Sequence, residues 1–222
     1  MRRIWIALAF VCLVASLSCG SNSPSSPTPT PTPTPQANRA PVINSMNFAP
    51  AFGIAQLTQF SFNASASDPD GDSITYAWDV AGNPSTGTNG TIAFPDGRNG
   101  VARVTVTDSK GSTVTDTRTF IVGSMSGLWT GSIPGYTNMA FDLTQSATVV
   151  TGRFAEQYFG TGVIDPAQPG RIDGDGRVEM RFKLARFSDF TFRGQMDSSG
   201  QRVTGGVFGS GFNGEPFTMN KQ

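Results

Sequence analysis

Histidine is absent from this chain of 222 residues, and cysteine occurs only twice, at Cys12 and Cys19. Without histidine the chain lacks the commonest general base and the commonest zinc or copper ligand, so neither a Ser/His/Asp nor a Cys/His triad can be assembled. Charge is also scarce. Charged residues make up 14%, and 16 Lys plus Arg balance 16 Asp plus Glu for a formal net charge of +0. Such a chain has no long-range field to attract phosphate backbones, which argues against a nucleic-acid partner. No glycine-rich phosphate loop precedes a helix, and no stretch has helical periodicity of useful length.

What the chain has in abundance is Gly (26), Pro (15) and Phe (17), with Val and Thr throughout. Strand formers separated by turn formers predict an all-β protein. Both cysteines precede the folded regions, so those regions must hold together through hydrophobic cores without disulfides.

Residues 1–18 read as an export signal. Arg2 and Arg3 supply a positive start, and the apolar run Ile4 to Leu17 is too short to span a bilayer. Its end, Ala15-Ser-Leu-Ser-Cys19, resembles the lipobox of bacterial lipoproteins. That resemblance implies a diacylated Cys19 as mature N-terminus, hence a membrane lipoprotein of the cell envelope, periplasmic or surface-exposed. The alternative is ordinary secretion, because Ser16 and Ser18 also suit a small-x-small cleavage site. Residues 19–38 then form a tether containing Pro27-Thr-Pro-Thr-Pro-Thr-Pro-Thr-Pro35. Alternating proline favours extended polyproline II, and at about 3.1 Å per residue the 18 residues after Gly20 could hold the cargo roughly 55 Å from the anchor.

The first folded region covers 39–123. Phe60 and Phe62 share one strand face; Ile74, Tyr76, Trp78 and Val80 alternate with polar or small residues, as do Val104 and Val106. Short strands and polar turns over this length predict a β-sandwich. Ser67-Asp-Pro-Asp-Gly-Asp-Ser-Ile-Thr-Tyr-Ala-Trp-Asp79, followed by Val104-Thr-Val-Thr-Asp-Ser-Lys-Gly111, resembles the polycystic kidney disease (PKD) and cadherin-like Ig-type repeats of bacterial surface proteins. Trp78 is expected as the buried indole of a central strand. Asp68, Asp70 and Asp72 allow two readings: carboxylates converging on calcium, or a plain solvated turn built from Asp-Pro and Asp-Gly.

The second region covers 127–222. Met139, Phe141 and Leu143 alternate with polar or small residues, as do Val178, Met180, Phe182 and Leu184, and later Phe190 and Phe192. Seven or eight sequential antiparallel strands with one apolar face predict a small up-and-down β-barrel, whose closure removes exposed edges. Gly127-Leu-Trp-Thr-Gly131, Phe141-Asp-Leu-Thr-Gln145 and Val150-Thr-Gly-Arg-Phe154 resemble the start of small lipocalin- and avidin-like barrels. In lipocalins an Arg of the last strand covers the base Trp; the last strand here carries Lys221. If the interior is open, Trp129, Phe141, Phe182 and Phe192 are the residues expected to meet a small apolar ligand; if packed, they are core.

Only carboxylates, Lys and Tyr remain for acid–base work. Asp142, Glu179 and Asp189 fall on polar faces, while Glu156, Asp165 and Glu215 fall in presumed loops at the barrel ends, and nothing pairs them at a defined separation. The expectation is a non-catalytic binding or spacer lipoprotein that recognises glycan or protein; the alternative is a carrier of a small apolar ligand. The anchor is tested by fractionation: wild-type protein should sediment with membranes, and Cys19→Ser should move it to the soluble fraction.

Overall fold

The computed structural model describes residues 35–222; the leader, Cys19 and most of the tether lie outside the described residues. Ala37–Gln222 forms one compact unit built around two cores, and no helix occurs among the described residues. Both follow from the sequence rhythm, because period-two alternation places every second side chain on one face of a strand.

The first core lies between two sheets. One contains β1 (Val42–Ala49), β3 (Gln59–Ser67) and β6 (Asn89–Ala93). The other runs β2-β8-β7-β4-β5, from β2 (Phe52–Ile54), β4 (Ile74–Val80), β5 (Asn83–Thr86), β7 (Arg98–Asp108) and β8 (Thr113–Gly123). Phe60, Phe62, Trp78, Val104, Val106 and Phe120 fill the space between them. The indole of Trp78 is buried, and its Nε1 donates to the Gly87 carbonyl at 3.0 Å, so no polar atom of that side chain is stranded.

The sandwich has two poles. At one, Asn38 donates to Asp108 Oδ2 and Ser112 Oγ, each at 2.7 Å, while Arg39 grips the turn at Asp70. At the other, β8 ends at Gly123 and the chain passes onward. Strand β7 runs the whole way between them with 11 residues, or roughly 35 Å at strand rise.

The second core is enclosed by β9 (Gly127–Ile133), β10 (Tyr136–Ser146), β11 (Val149–Glu156), β12 (Gly160–Ile164), β13 (Gly170–Ile172), β14 (Arg177–Leu184), β15 (Phe190–Met196), β16 (Arg202–Gly209) and β17 (Phe212–Lys221). Apart from β12 and β13, successive strands pair antiparallel, and β17 returns to β9 to close the ring. β12 and β13 share one place between β11 and β14, so the barrel has eight strand positions, interrupted by 165–169. Inward-facing rings crowd the axis. Gly131 belongs to this packing: a Cβ there would lie 2.7 Å from the Phe141 ring and 3.0 Å from that of Phe217.

A closed barrel still has two open ends. The end facing the sandwich is stopped by Ile54 and Met125, both 0% exposed and both members of the barrel core although neither lies in a barrel strand. Gln145, at 5% exposure, fastens the contact. Its Oε1 accepts from the Met125 amide (2.9 Å), and its Nε2 donates to the carbonyls of Ala55 (2.9 Å) and Ala147 (3.1 Å). Gln56 answers from the sandwich, its Oε1 accepting from the Ala147 amide at 2.8 Å. Backbones also meet: a Cβ on Gly200 would lie 2.9 Å from Gly123 Cα.

Removing the Gln145 amide would leave the Met125 N–H and Ala55 C=O buried without partners, an expected loss of about 2–3 kcal/mol. Ile54→Ala is expected to cost about 2–5 kcal/mol through a cavity in the barrel core. Urea unfolding of Gln145→Ala and Ile54→Ala checks both values, and the Ile54 change should lower the melting of the barrel although the residue lies in a sandwich strand.

Candidate functional site

The barrel interior is filled by its own side chains. Trp129, Phe141 and Phe192 are 1% exposed and Phe182 is 0% exposed. Phe141, Phe182 and Phe192 lie ring to ring at 5.5–5.6 Å, and Phe192 stacks on Phe217 at 3.9 Å. Of the two readings of the interior, this is the packed one, and these four residues are core rather than the lining of an open pocket. A guest would have to displace rings already in van der Waals contact. Trp129 Nε1 donates to the Met125 carbonyl at 2.9 Å, and Lys221 Nζ sits 5.6 Å from the indole centroid while donating to the Ser124 carbonyl. Lys221 therefore covers the base tryptophan, and half-burial pushes its pKa down.

Asp68, Asp70 and Asp72 do come together, with one carboxylate oxygen of each within 4.8 Å of the others. Their charge is largely met by protein. Arg39 Nε donates to Asp70 Oδ1 at 2.7 Å, and its guanidinium also reaches the Pro69 carbonyl. Lys110 Nζ lies 2.9 Å from Asp72 Oδ2. The Arg39 amide first, and then its guanidinium, hold the Asp70 carboxyl below the ordinary 3.8. Asp68 Oδ1 accepts from the amides of Asp70 and Asp72, while its Oδ2 is buried without a partner among the described residues. The same (i+2, i+4) bonding recurs at Asp108 and at Asp173, so Asp68 makes the side-chain-capped turn this chain uses elsewhere. The free Asp68 oxygen suits a hard cation, while Arg39 and Lys110 already answer the charges of Asp70 and Asp72, so a cation here would compete with both.

The other carboxylates also serve structure. Two expected in loops lie in strands: Glu156, the last residue of β11, accepts at Oε2 from the amides of Tyr158 (2.7 Å) and Phe159 (2.9 Å), and Glu215, within β17, accepts from the Asn213 amide. Asp165 lies outside the strands as expected, in the 165–169 segment, but within the wall and not at a barrel end. It is buried in the gap between β12 and β13, 3.1 Å from Lys183 Nζ. Burial opposes its ionisation, but the Ala167 amide and Lys183 outweigh that and keep its pKa low. Asp142 and Glu179 lie on the outer wall in ion pairs with Arg153 and Arg193, and Asp189, just before β15 and not on a strand face, pairs with Arg181.

What the alternation pattern does not show is the barrel end away from the sandwich. Four turns meet there: Pro134-Gly135 between β9 and β10, 157–159 between β11 and β12, 185–189 between β14 and β15, and Ser210-Gly211 between β16 and β17. Each turn carries an aromatic residue or is followed at once by one that opens the next strand. Phe159 is 5% exposed and rests on Phe190 of the core at 6.1 Å, closing the opening. Around it stand Tyr136 (4.8 Å), Tyr158 (5.2 Å), Phe187 (5.6 Å) and Phe212 (6.0 Å). Tyr158 is 61% exposed and Phe187 36%, their rings 5.5 Å apart and inclined by 32°. The sequence signal for this end is aromatic residues in, or directly after, turn segments. A second apolar surface, a groove on the outer wall beside Leu128, Val163 and Leu184, is aliphatic and edged by Arg153 and Lys183.

No protein-family model matches the chain, and no curated protein matches it. Among solved structures it is similar to the PKD1 domain of Vibrio anguillarum Epp, with 31% identity over 39% of this chain and 96% of that one, at a TM-score of 0.31. It is also similar to carbohydrate-binding modules from the β-sandwich superfamily, with 17% identity over 83% of this chain and 91% of that one, at a TM-score of 0.37.

The carboxylate turn is tested by melting. At pH 7 the transition should be unchanged between excess chelator and millimolar calcium. Stability from Asp70, whose folded pKa lies below 3.8, is complete above that value and should fall away as pH drops through the lower folded pKa, a loss that Asp70→Asn removes.

Proposed function

We propose that the protein is a non-catalytic display protein of the cell envelope, anchored through an acylated Cys19, in which a PKD- or cadherin-like sandwich serves as stalk and the barrel carries the binding end. The observation that supports this is polarity. The chain from the tether enters the sandwich at the Asn38 pole, the barrel is fixed to the opposite pole, and the exposed rings of Tyr158 and Phe187 lie at the far end of the barrel. A stalk that ends in solvent-facing aromatic rings is suited to meeting a partner at a distance from the membrane.

A non-catalytic role agrees with how the acidic side chains are used. They cap turns or pair with Arg and Lys, and the buried Asp165 is already held by the Ala167 amide and Lys183. The filled interior speaks against the barrel as a carrier of an apolar ligand.

An array of glycans and proteins probed with the wild type, Tyr158→Ala and Phe187→Ala tests the reading. Binding to some feature of the array is expected, weakened at least tenfold by either substitution; binding that ignores both rings would move the site elsewhere.

A further inference from the structure

The geometry points to carbohydrate as the ligand of this end, with the face of a neutral sugar ring laid on Tyr158 and Phe187; the inference rests on the display reading above. Closing the barrel requires Phe159, which is buried, but it does not require two further rings left in water. Such exposure costs solubility without adding to the core. The rings are also held in place. The Glu156 carboxylate fixes the amides of Tyr158 and Phe159, and Phe187 packs against both neighbouring rings. A rigid aromatic platform loses little entropy when something settles on it.

Shape, size and chemistry separate the candidate ligands. An aromatic cage for a quaternary ammonium group needs rings standing around a void. Here Phe159 occupies the centre and its neighbours' rings pack against it, leaving no void. The exposed part of the two rings is on the order of 200 Å², against about 800 Å² per partner for a stable protein interface. A lipid surface favours aliphatic side chains with a cluster of cations. The four turns contain no exposed Leu, Ile, Val or Met, and Arg186 is their single cation. What remains is an aromatic face beside exposed polar side chains, Gln157, Arg186 and Ser188. The electron-rich face of an aromatic ring attracts the C–H bonds on one side of a pyranose, while amide, guanidinium and hydroxyl groups can bond its equatorial hydroxyls.

The test is affinity electrophoresis of the purified chain through gels containing neutral β-glucan, xylan or galactomannan. Retardation by at least one polysaccharide is expected. Tyr158→Ala and Phe187→Ala should each weaken it roughly tenfold, Tyr158→Gln should lose as much as the alanine, and Tyr158→Phe should retain most of it. Melting temperatures should stay near wild type for the Tyr158 variants, because that ring is mostly exposed. No retardation by any of the three, or retardation indifferent to all these variants, overturns the inference. Ring-dependent binding confined to proteins on the array also overturns it, while leaving the display reading intact.

Discussion

A β-barrel solves the problem of unpaired strand edges and creates another, because a closed cylinder has two mouths through which water can reach an apolar interior. In this protein the two mouths are closed in different ways, and the rest of the architecture follows from that difference. One is stopped by Ile54 and Met125, side chains that belong to the sandwich and to the segment joining it to the barrel. The other is stopped by the barrel's own hairpin turns through Phe159. The first solution welds two cores into one unit. The second leaves aromatic residues at a free end.

The weld also explains why a buried glutamine is tolerated. An amide in an apolar setting is costly unless each polar atom is matched. Gln145 matches its side-chain oxygen and nitrogen with backbone groups from the linker, the sandwich and its own turn. It therefore fixes an orientation between the two β regions that apolar contact alone, being non-directional, would not specify.

Much of this was legible in the sequence, and the missing parts have a common cause. The alternation of Val178, Met180, Phe182 and Leu184 predicts a half-buried strand, and β14 is one; Trp78 and Trp129 are buried as their strand contexts implied. Period-two reasoning reports which face of a strand is wet. It is silent about residues whose partners lie in another element. Met125 sits in a three-residue stretch, Ser124-Met-Ser126, that reads as a connector, and Ile54 lies in a strand of only three residues. Both are buried in a core whose strands come from elsewhere in the chain. Tyr158 and Phe187 in turns, and Tyr136 and Phe212 at strand starts, each look incidental alone, and only closure of the barrel brings them together. The acidic residues show the reverse case. Asp68, Asp70 and Asp72 are close in sequence and close in space, but the cations that answer them, Arg39 and Lys110, come from distant positions.

The direction of the sandwich strands has a mechanical consequence. β1 and β8 both run from the Asn38 pole towards the barrel, so the chain enters the sandwich at one end and leaves it at the other. A pull between the upstream chain and the barrel tip then acts along these strands, drawing β1 and β8 in opposite directions. The ladder joining β1 to β3 is loaded in shear, with its hydrogen bonds sharing the force at once instead of peeling one after another. The sandwich is therefore braced along the axis that runs from its Asn38 pole to the barrel.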